Sequence, residues 1–310
     1  MIKAKALKKG MCIALTAPSG AVRDESVVPR YEEFLTGRGY RVKVGKTCYS
    51  RHGYLAGTDE MRADELNALF ADNVVDAIFC VRGGYGAARI LDRLDYDGIR
   101  RNPKIFNGFS DITALHAAIN RYSGLITFHG PNGDLASGKE GCDISFRLLE
   151  SMLSGECRNA ELAGLTDEAA STLVEGKARG LLCGGNMTVI AHSLGTPYEP
   201  DFTNKILFLE DINEAVYRID EMVTELRHAG VFERCSGVVF GTFTGCRNAY
   251  PDFAVPLEDV LREECERAGK PAFMNFRCGH VQPMHTLPMG AICEMDSEKK
   301  IIRICENPVE

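Results

Sequence analysis

The chain has 310 residues, 45% of them hydrophobic and 25% charged, with a formal net charge of −7. That length allows two hydrophobic cores, and the composition is that of a folded globular protein rather than a disordered chain. The acidic balance excludes a nucleic-acid binder that works through a basic face, and no stretch reaches the roughly 20 apolar residues of a membrane span.

The first apolar run, Met11-Cys12-Ile13-Ala14-Leu15, follows several lysines, as a secretory signal would. It is too short for one and meets the turn Pro18-Ser19-Gly20, so it predicts a buried strand. Residues 11–130 then alternate apolar runs with amphipathic stretches. Strands are predicted at 11–16, 40–44, 75–81, 104–108 and 125–128, and helices at 26–38, 59–71, 85–94 and 111–121. This alternation predicts an α/β fold with a parallel sheet flanked by helices. From 134 to 178 the pattern weakens to a helix around 143–153 and a polar stretch with Glu161, Asp167, Glu168 and Glu175. Beyond it, strands are predicted at 179–183, 206–210, 236–242, 272–276, 290–295 and 299–305, and helices near 186–194, 214–228 and 256–267. The expected division is a first domain over 1–140, a connection over 141–178, and a mixed α/β or β-rich second domain over 179–310.

Parallel sheets bind ligands beyond the carboxyl ends of their strands. Three turns of small residues fall there: Ala17-Pro18-Ser19-Gly20, Arg82-Gly83-Gly84-Tyr85-Gly86 and Gly108-Phe109-Ser110-Asp111. The third joins an apolar strand to a helix, as a nucleophile elbow does, and Gly108 allows close backbone approach. A helix N-cap at Ser110 or Asp111 explains the same residues.

A serine nucleophile needs a base, an orienting acid and oxyanion donors. Seven histidines are candidates for the base. His116, His192 and His228 fall on predicted helices, His52 in a polar loop, and His129 follows a strand where it would line the same cleft. His280 and His285 share the segment 276–290, which is predicted to be an irregular loop between strands. Glu210 ends the run Lys205-Ile206-Leu207-Phe208-Leu209 and suits the orienting role, with Asp211 as an N-cap or solvated charge for the helix near Asn213. The glycines at 83, 84 and 86 would bring backbone N–H groups to a bound oxygen, although their spacing makes no dinucleotide or Walker motif. The twelve cysteines show no CxxC pair and several lie in apolar runs, so free thiols in a reducing cytoplasm are expected, with no metal site and no cofactor.

Taken in order, these segments resemble the LD-carboxypeptidase family, serine peptidases of murein recycling that include the microcin-immunity peptidases. The resemblance runs through Ala17-Pro18-Ser19-Gly20, Ala56-Gly57-Thr58-Asp59 with Arg62, Arg82 to Arg89, Asn102-Pro103-Lys104 and Gly108 to Leu115. It continues through Gly184-Gly185-Asn186, Leu209-Glu210-Asp211, Gly279-His280 and Leu287-Pro288-Met289-Gly290. It implies a Rossmann-like N-terminal domain, a β-rich C-terminal domain and a cytoplasmic homodimer. It further implies a triad of Ser110 as nucleophile, His280 as base and Glu210 as orienter, with oxyanion donors on the backbone of Gly84 and Asp111. His280 alone occupies the family's Gly-His position.

The implied reaction removes a terminal D-amino acid, D-alanine of a murein tetrapeptide, from an L-configured centre. Arg82 and Gly83 are candidate substrate contacts, although Arg82 suits structural pairing with an acidic neighbour equally well. The sequence departs from the family pattern at Val281 and over Gln282-Pro283-Met284-His285, so His285 either touches substrate or packs. Two other readings remain open: a peptidase acting on peptidyl- or aminoacyl-nucleotide antibiotics, and a muropeptide-binding protein without turnover.

Overall fold

A computed structural model describes residues 1–165 and 170–310; Asp167 and Glu168 of the expected connection lie outside the described residues. The chain forms two compact units. The first comprises Met1–Cys157, Gln282–Gly290 and Asn307–Glu310, and the second Arg158–Val281 and Ala291–Glu306. The expected connection over 141–178 is thus divided. The helix Cys142–Leu153 belongs to the first unit, and the residues from Arg158 onward belong to the second.

Five strands of the first unit run parallel: β1 (Cys12–Thr16), β2 (Arg41–Val44), β3 (Ala77–Cys80), β4 (Ile105–Gly108) and β5 (Thr127–His129). Every residue of β1, β3, β4 and β5 is buried, the continuous apolar pattern of strands covered on both faces. In β2, an edge strand, exposed and half-buried residues alternate.

A sixth strand comes from late in the chain. Leu287–Met289, β12 in chain order, lies antiparallel to β5 with Leu287 opposite His129 and Met289 opposite Thr127. The segment 276–290, expected to be irregular throughout, therefore ends by extending the first sheet. Pro288 has no N–H to give a further neighbour, which an edge position tolerates.

The helix Asp59–Ala71 has the predicted bounds and is capped by Thr58, whose Oγ1 accepts the Met61 N–H at 3.2 Å. Two predicted helices are less regular. The stretch 85–94 forms the 3₁₀ helix Ala87–Arg93, and 111–121 divides into a 3₁₀ turn, the α-helix Thr113–Ala118 and a wider π-turn.

The second unit holds an eight-stranded sheet. Its strands are β6 (Glu161–Leu162), β7 (Ser171–Val174), β8 (Lys177–Asn186), β9 (Ile206–Ile212), β10 (Gly237–Thr244), β11 (Ala272–Met274), β13 (Ile292–Asp296) and β14 (Ile301–Ile304), in the order β6-β14-β13-β8-β9-β10-β11-β7. The centre, β8-β9-β10-β11, is parallel, and the flanks are antiparallel. Helix Val216–His228 buries Val216, Ile219, Val223 and Leu226, one stripe at helical spacing. Ile219, Val223 and Leu226 join Leu207, Leu209, Val238 and Phe240 of the sheet in one apolar core. All twelve cysteines are free thiols, and all but Cys246 and Cys305 are buried.

Candidate active site

In the first unit, β4 ends at Gly108 and the chain turns sharply at Ser110, whose φ is 67°. The left-handed region costs a non-glycine residue about 1–2 kcal/mol. Among the described residues, the other non-glycine positions there are four asparagines, which tolerate it, and Lys300. Ser110 is thus held in an unfavourable conformation by its surroundings.

The His116 ring nitrogen Nε2 lies 2.8 Å from the Gly108 carbonyl, and Asn132 Oδ1 accepts the Phe109 N–H at 3.3 Å. The buried Asp111 carboxylate accepts the Ala87 N–H at 2.8 Å and the Ser19 hydroxyl. One carboxylate therefore ties together the turns after β1, β3 and β4. Its bonds go to distant segments, so Asp111 does not cap the helix that follows, and that helix has no side-chain cap at all.

Gly83 lies against this elbow. A Cβ added there would sit 2.8 Å from Ser110 Cβ and 3.1 Å from the Asp111 nitrogen, closer than real Cβ atoms come to a neighbouring carbon. Glycine is required by that approach. Among the described residues, neither the Gly84 N–H nor the Asp111 N–H donates to a protein acceptor. The same loop is clamped from behind by the fully buried Arg62, whose Nη1 donates to the carbonyls of Pro18 and Gly86, each at 2.8 Å. Asp59 pairs with Arg62 and also accepts two bonds from the Arg89 guanidinium, at 2.9 and 2.8 Å.

In the second unit, β9 carries Glu210 into the interior, where it is fully buried. His280 Nδ1 lies 2.7 Å from Glu210 Oε2. An ionised carboxylate only accepts, so Nδ1 carries the proton and Nε2 is the basic nitrogen of the neutral ring. Asn186, at the end of β8, donates to Glu210 Oε1 at 3.3 Å and to Asp211 Oδ1 at 3.1 Å.

Gly279 must be glycine on two counts. Its φ is 122°, and a Cβ there would stand 2.5 Å from Glu210 Oε2. Asp211 is neither solvated nor the cap of the helix near Asn213. It is buried, and its Oδ2 accepts from the Thr188 N–H at 2.9 Å and hydroxyl at 2.7 Å, at the start of helix Met187–Ser193.

Two family profiles match the chain: the LD-carboxypeptidase N-terminal domain over residues 13–130 and the LD-carboxypeptidase C-terminal domain over residues 179–295. The chain belongs to the LD-carboxypeptidase family. It is 38% identical over 300 residues to a probable murein peptide carboxypeptidase of Bacillus subtilis (strain 168), covering 96% of this chain and 92% of that one. Its structure is similar to that of MccF in complex with glutamyl sulfamoyl guanosine, with a TM-score of 0.92, 26% identity and full coverage of both chains. It is also similar to the muramoyltetrapeptide carboxypeptidase of Oxalobacter formigenes, with a TM-score of 0.82, 27% identity, and 95% and 98% of the two chains covered. The two-domain α/β fold expected of an LD-carboxypeptidase is the fold observed.

Most of the remaining histidines of this LD-carboxypeptidase fall to structural or surface roles. His116 is buried and its pKa is pushed down to about 4 by that burial, so it stays neutral while supporting Gly108. His129, expected to line the cleft, is instead fully buried, its ring centroid 5.9 Å from Phe109 and 6.3 Å from His116. His285 is also buried, at 3% exposure, which suits packing better than contact with a substrate. His52, His192 and His228 are exposed.

The supporting residues Ser19, Asn186 and Arg62 were visible in the sequence only as parts of motifs, without roles. Ser19 lies in the turn after the first strand, Asn186 ends β8, and Arg62 lies inside the helix Asp59–Ala71. No group of three or more metal-binding side chains is present among the described residues. No helix there is long and apolar enough to cross a membrane.

Proposed function

We propose that this LD-carboxypeptidase is a serine hydrolase in which Ser110, His280 and Glu210 act as one relay. The observation that carries this reading is the left-handed conformation of Ser110, held by buried partners and flanked by the Gly83 close approach. His280 Nε2 takes the Ser110 proton as Oγ attacks the scissile carbonyl carbon, and Glu210 stabilises the imidazolium. The N–H groups of Gly84 and Asp111 hold the tetrahedral oxyanion, each such donor being worth about 3–4 kcal/mol. The imidazolium then protonates the leaving amine. Water, activated by the same histidine, hydrolyses the acyl-enzyme.

The substrate is a murein tetrapeptide, cut between an L-configured centre and the terminal D-alanine. The names of the Bacillus and Oxalobacter relatives support this reading. Twelve free cysteines suit a reducing cytoplasm, where such peptides are recycled. The family resemblance supports a homodimer as the active form. A second reading, cleavage of an aminoacyl-sulfamoyl nucleotide, draws on the likeness to the MccF complex.

Mass spectrometry after incubation with tetrapeptide, pentapeptide and aminoacyl-sulfamoyl nucleotide tests both. Loss of D-alanine from the tetrapeptide alone, abolished in Ser110→Ala, is the expected result. Cleavage of the nucleotide conjugate alone would establish the second reading, and near-normal turnover by Ser110→Ala would overturn the serine mechanism.

A further inference from the structure

Gly84 also lines a cavity of about 640 Å³ within the first unit. Arg23, Arg51, Arg82, Tyr54 and Tyr85 line it with Gly84. The cavity thus gathers three guanidinium groups in a chain whose net charge is −7. Among the described residues none of the three has a carboxylate partner. Asp24, next to Arg23 in sequence, is bound by Arg30, and Asp59 is bound by Arg62 and Arg89.

Arg82 is fixed, its Nη1 donating to the Ala21 carbonyl at 2.7 Å, and its Nη2 lies 3.1 Å from the Cβ position of Gly84. Burial, and then the positive charge of nearby Arg23, pulls the Arg82 pKa below its ordinary value. Arg23 and Arg51 are exposed. The rings of Tyr54 and Tyr85 meet edge to face, 5.5 Å apart, beside them.

A carboxypeptidase substrate has one carboxylate at its end, and one guanidinium beside the oxyanion loop suffices for it. Arg23 bears on Arg82, Arg51 lines the same cavity, and among the described residues no protein carboxylate answers any of the three, an arrangement that favours a second anion on the ligand. Resting on the carboxypeptidase reading, we infer that Arg23 and Arg51 select peptides bearing another carboxylate besides the terminal one. The second carboxylate belongs to an acidic residue within a few bonds of the scissile amide. Tyr54 and Tyr85, both exposed, add aromatic surface beside these arginines for the rest of the peptide.

The test compares matched tetrapeptides whose internal carboxylate is free or amidated, the C-terminal carboxylate being free in both. The wild-type enzyme is expected to favour the free acid by about tenfold or more in kcat/KM, mainly through KM, and to lose that preference as salt is raised. In Arg23→Ala/Arg51→Ala the kcat/KM values for the two peptides converge, and Arg51→Lys keeps part of the preference. Both arginines are exposed, so these variants fold normally. Equal wild-type rates on the two peptides, or a preference that survives the double substitution, would overturn the inference while leaving the carboxypeptidase reading intact.

If neither peptide is hydrolysed, the carboxypeptidase reading fails separately, and calorimetric binding of the same pair to Ser110→Ala decides the inference. Equal affinities there would overturn it. So would tight binding of an aminoacyl-sulfamoyl nucleotide that is abolished by Arg23→Ala/Arg51→Ala, together with no discrimination between the peptides.

Discussion

Replacing Glu210 by glutamine preserves the shape of a fully buried side chain and removes its charge. The carboxylate faces two donors, His280 Nδ1 at 2.7 Å and Asn186 Nδ2 at 3.3 Å. A glutamine has one accepting end and one donating end, so it can satisfy only one of them. With its amide nitrogen toward His280, Nδ1 must accept, the ring proton moves to Nε2, and the basic nitrogen is lost. With its oxygen toward His280, two amide nitrogens meet at Asn186. Asn186 cannot turn over to relieve this, because its Nδ2 also donates to Asp211 at 3.1 Å and its Oδ1 accepts the Val189 N–H at 3.2 Å.

Either arrangement also removes the anion beside the imidazolium, worth about 4 kcal/mol for charges roughly 4 Å apart at an effective dielectric of about 20. That corresponds to a fall in kcat of about 10³-fold. The assay is steady-state release of D-alanine from a tetrapeptide between pH 5 and 9, with urea unfolding in parallel. KM is expected to change little and the unfolding transition to remain cooperative. A loss of kcat below tenfold in a folded variant would refute the orienting role of Glu210.

Two further expectations follow from the first unit. Gly83→Ala forces a Cβ to within 2.8 Å of Ser110 Cβ and 3.0 Å of the Phe109 carbonyl, so the loop must move. We expect kcat to fall about 100-fold with a stability loss of about 1–3 kcal/mol in urea, and an alanine variant with normal kcat would remove the close approach from the mechanism. The buried His116 has a folded pKa of about 4, below the ordinary value of 6.5, so between these values the unfolded chain binds more protons. Its contribution is fully present above about pH 6.5 and is lost as pH falls toward 4, about 2–3 kcal/mol by pH 4.5. Urea midpoints at pH 7 and 4.5 should diverge more for the wild type than for His116→Asn, and equal pH slopes would show that another group controls acid unfolding.

The regular elements of the fold were legible because burial leaves a periodic trace. The continuous apolar runs of β1, β3 and β4, and the helices Asp59–Ala71 and Val216–His228, were all predicted close to their observed bounds. The strands that escaped are β6, β7 and β12, each of four residues or fewer and each at a sheet edge. An edge strand is stabilised by a neighbour on one side only and needs no alternation of its own. The segment 276–290 escaped for a related reason. Its pairing partner, β5, lies some 160 residues earlier, by the register of Leu287 on His129, and no local pattern encodes a contact at that separation.

The candidate site was legible to a different depth on its two sides. Ser110 and Glu210 stood out as candidates because each follows or ends an apolar strand, but His280 was singled out from seven histidines, and the three roles assigned, only by the family resemblance. Their supports could not be nominated, because Asp111, Asn186 and Arg62 act through hydrogen bonds whose partners are distant in sequence. Asp111 shows the difference most clearly. As a residue after a serine it reads as a helix cap, yet its carboxylate binds Ser19 and Ala87, 92 and 24 positions away. A cap would serve one helix. This carboxylate instead fixes the separation of three turns, one holding Ser110 and another holding Gly84; on the proposed mechanism, that separation sets whether an oxyanion at Ser110 meets its donors.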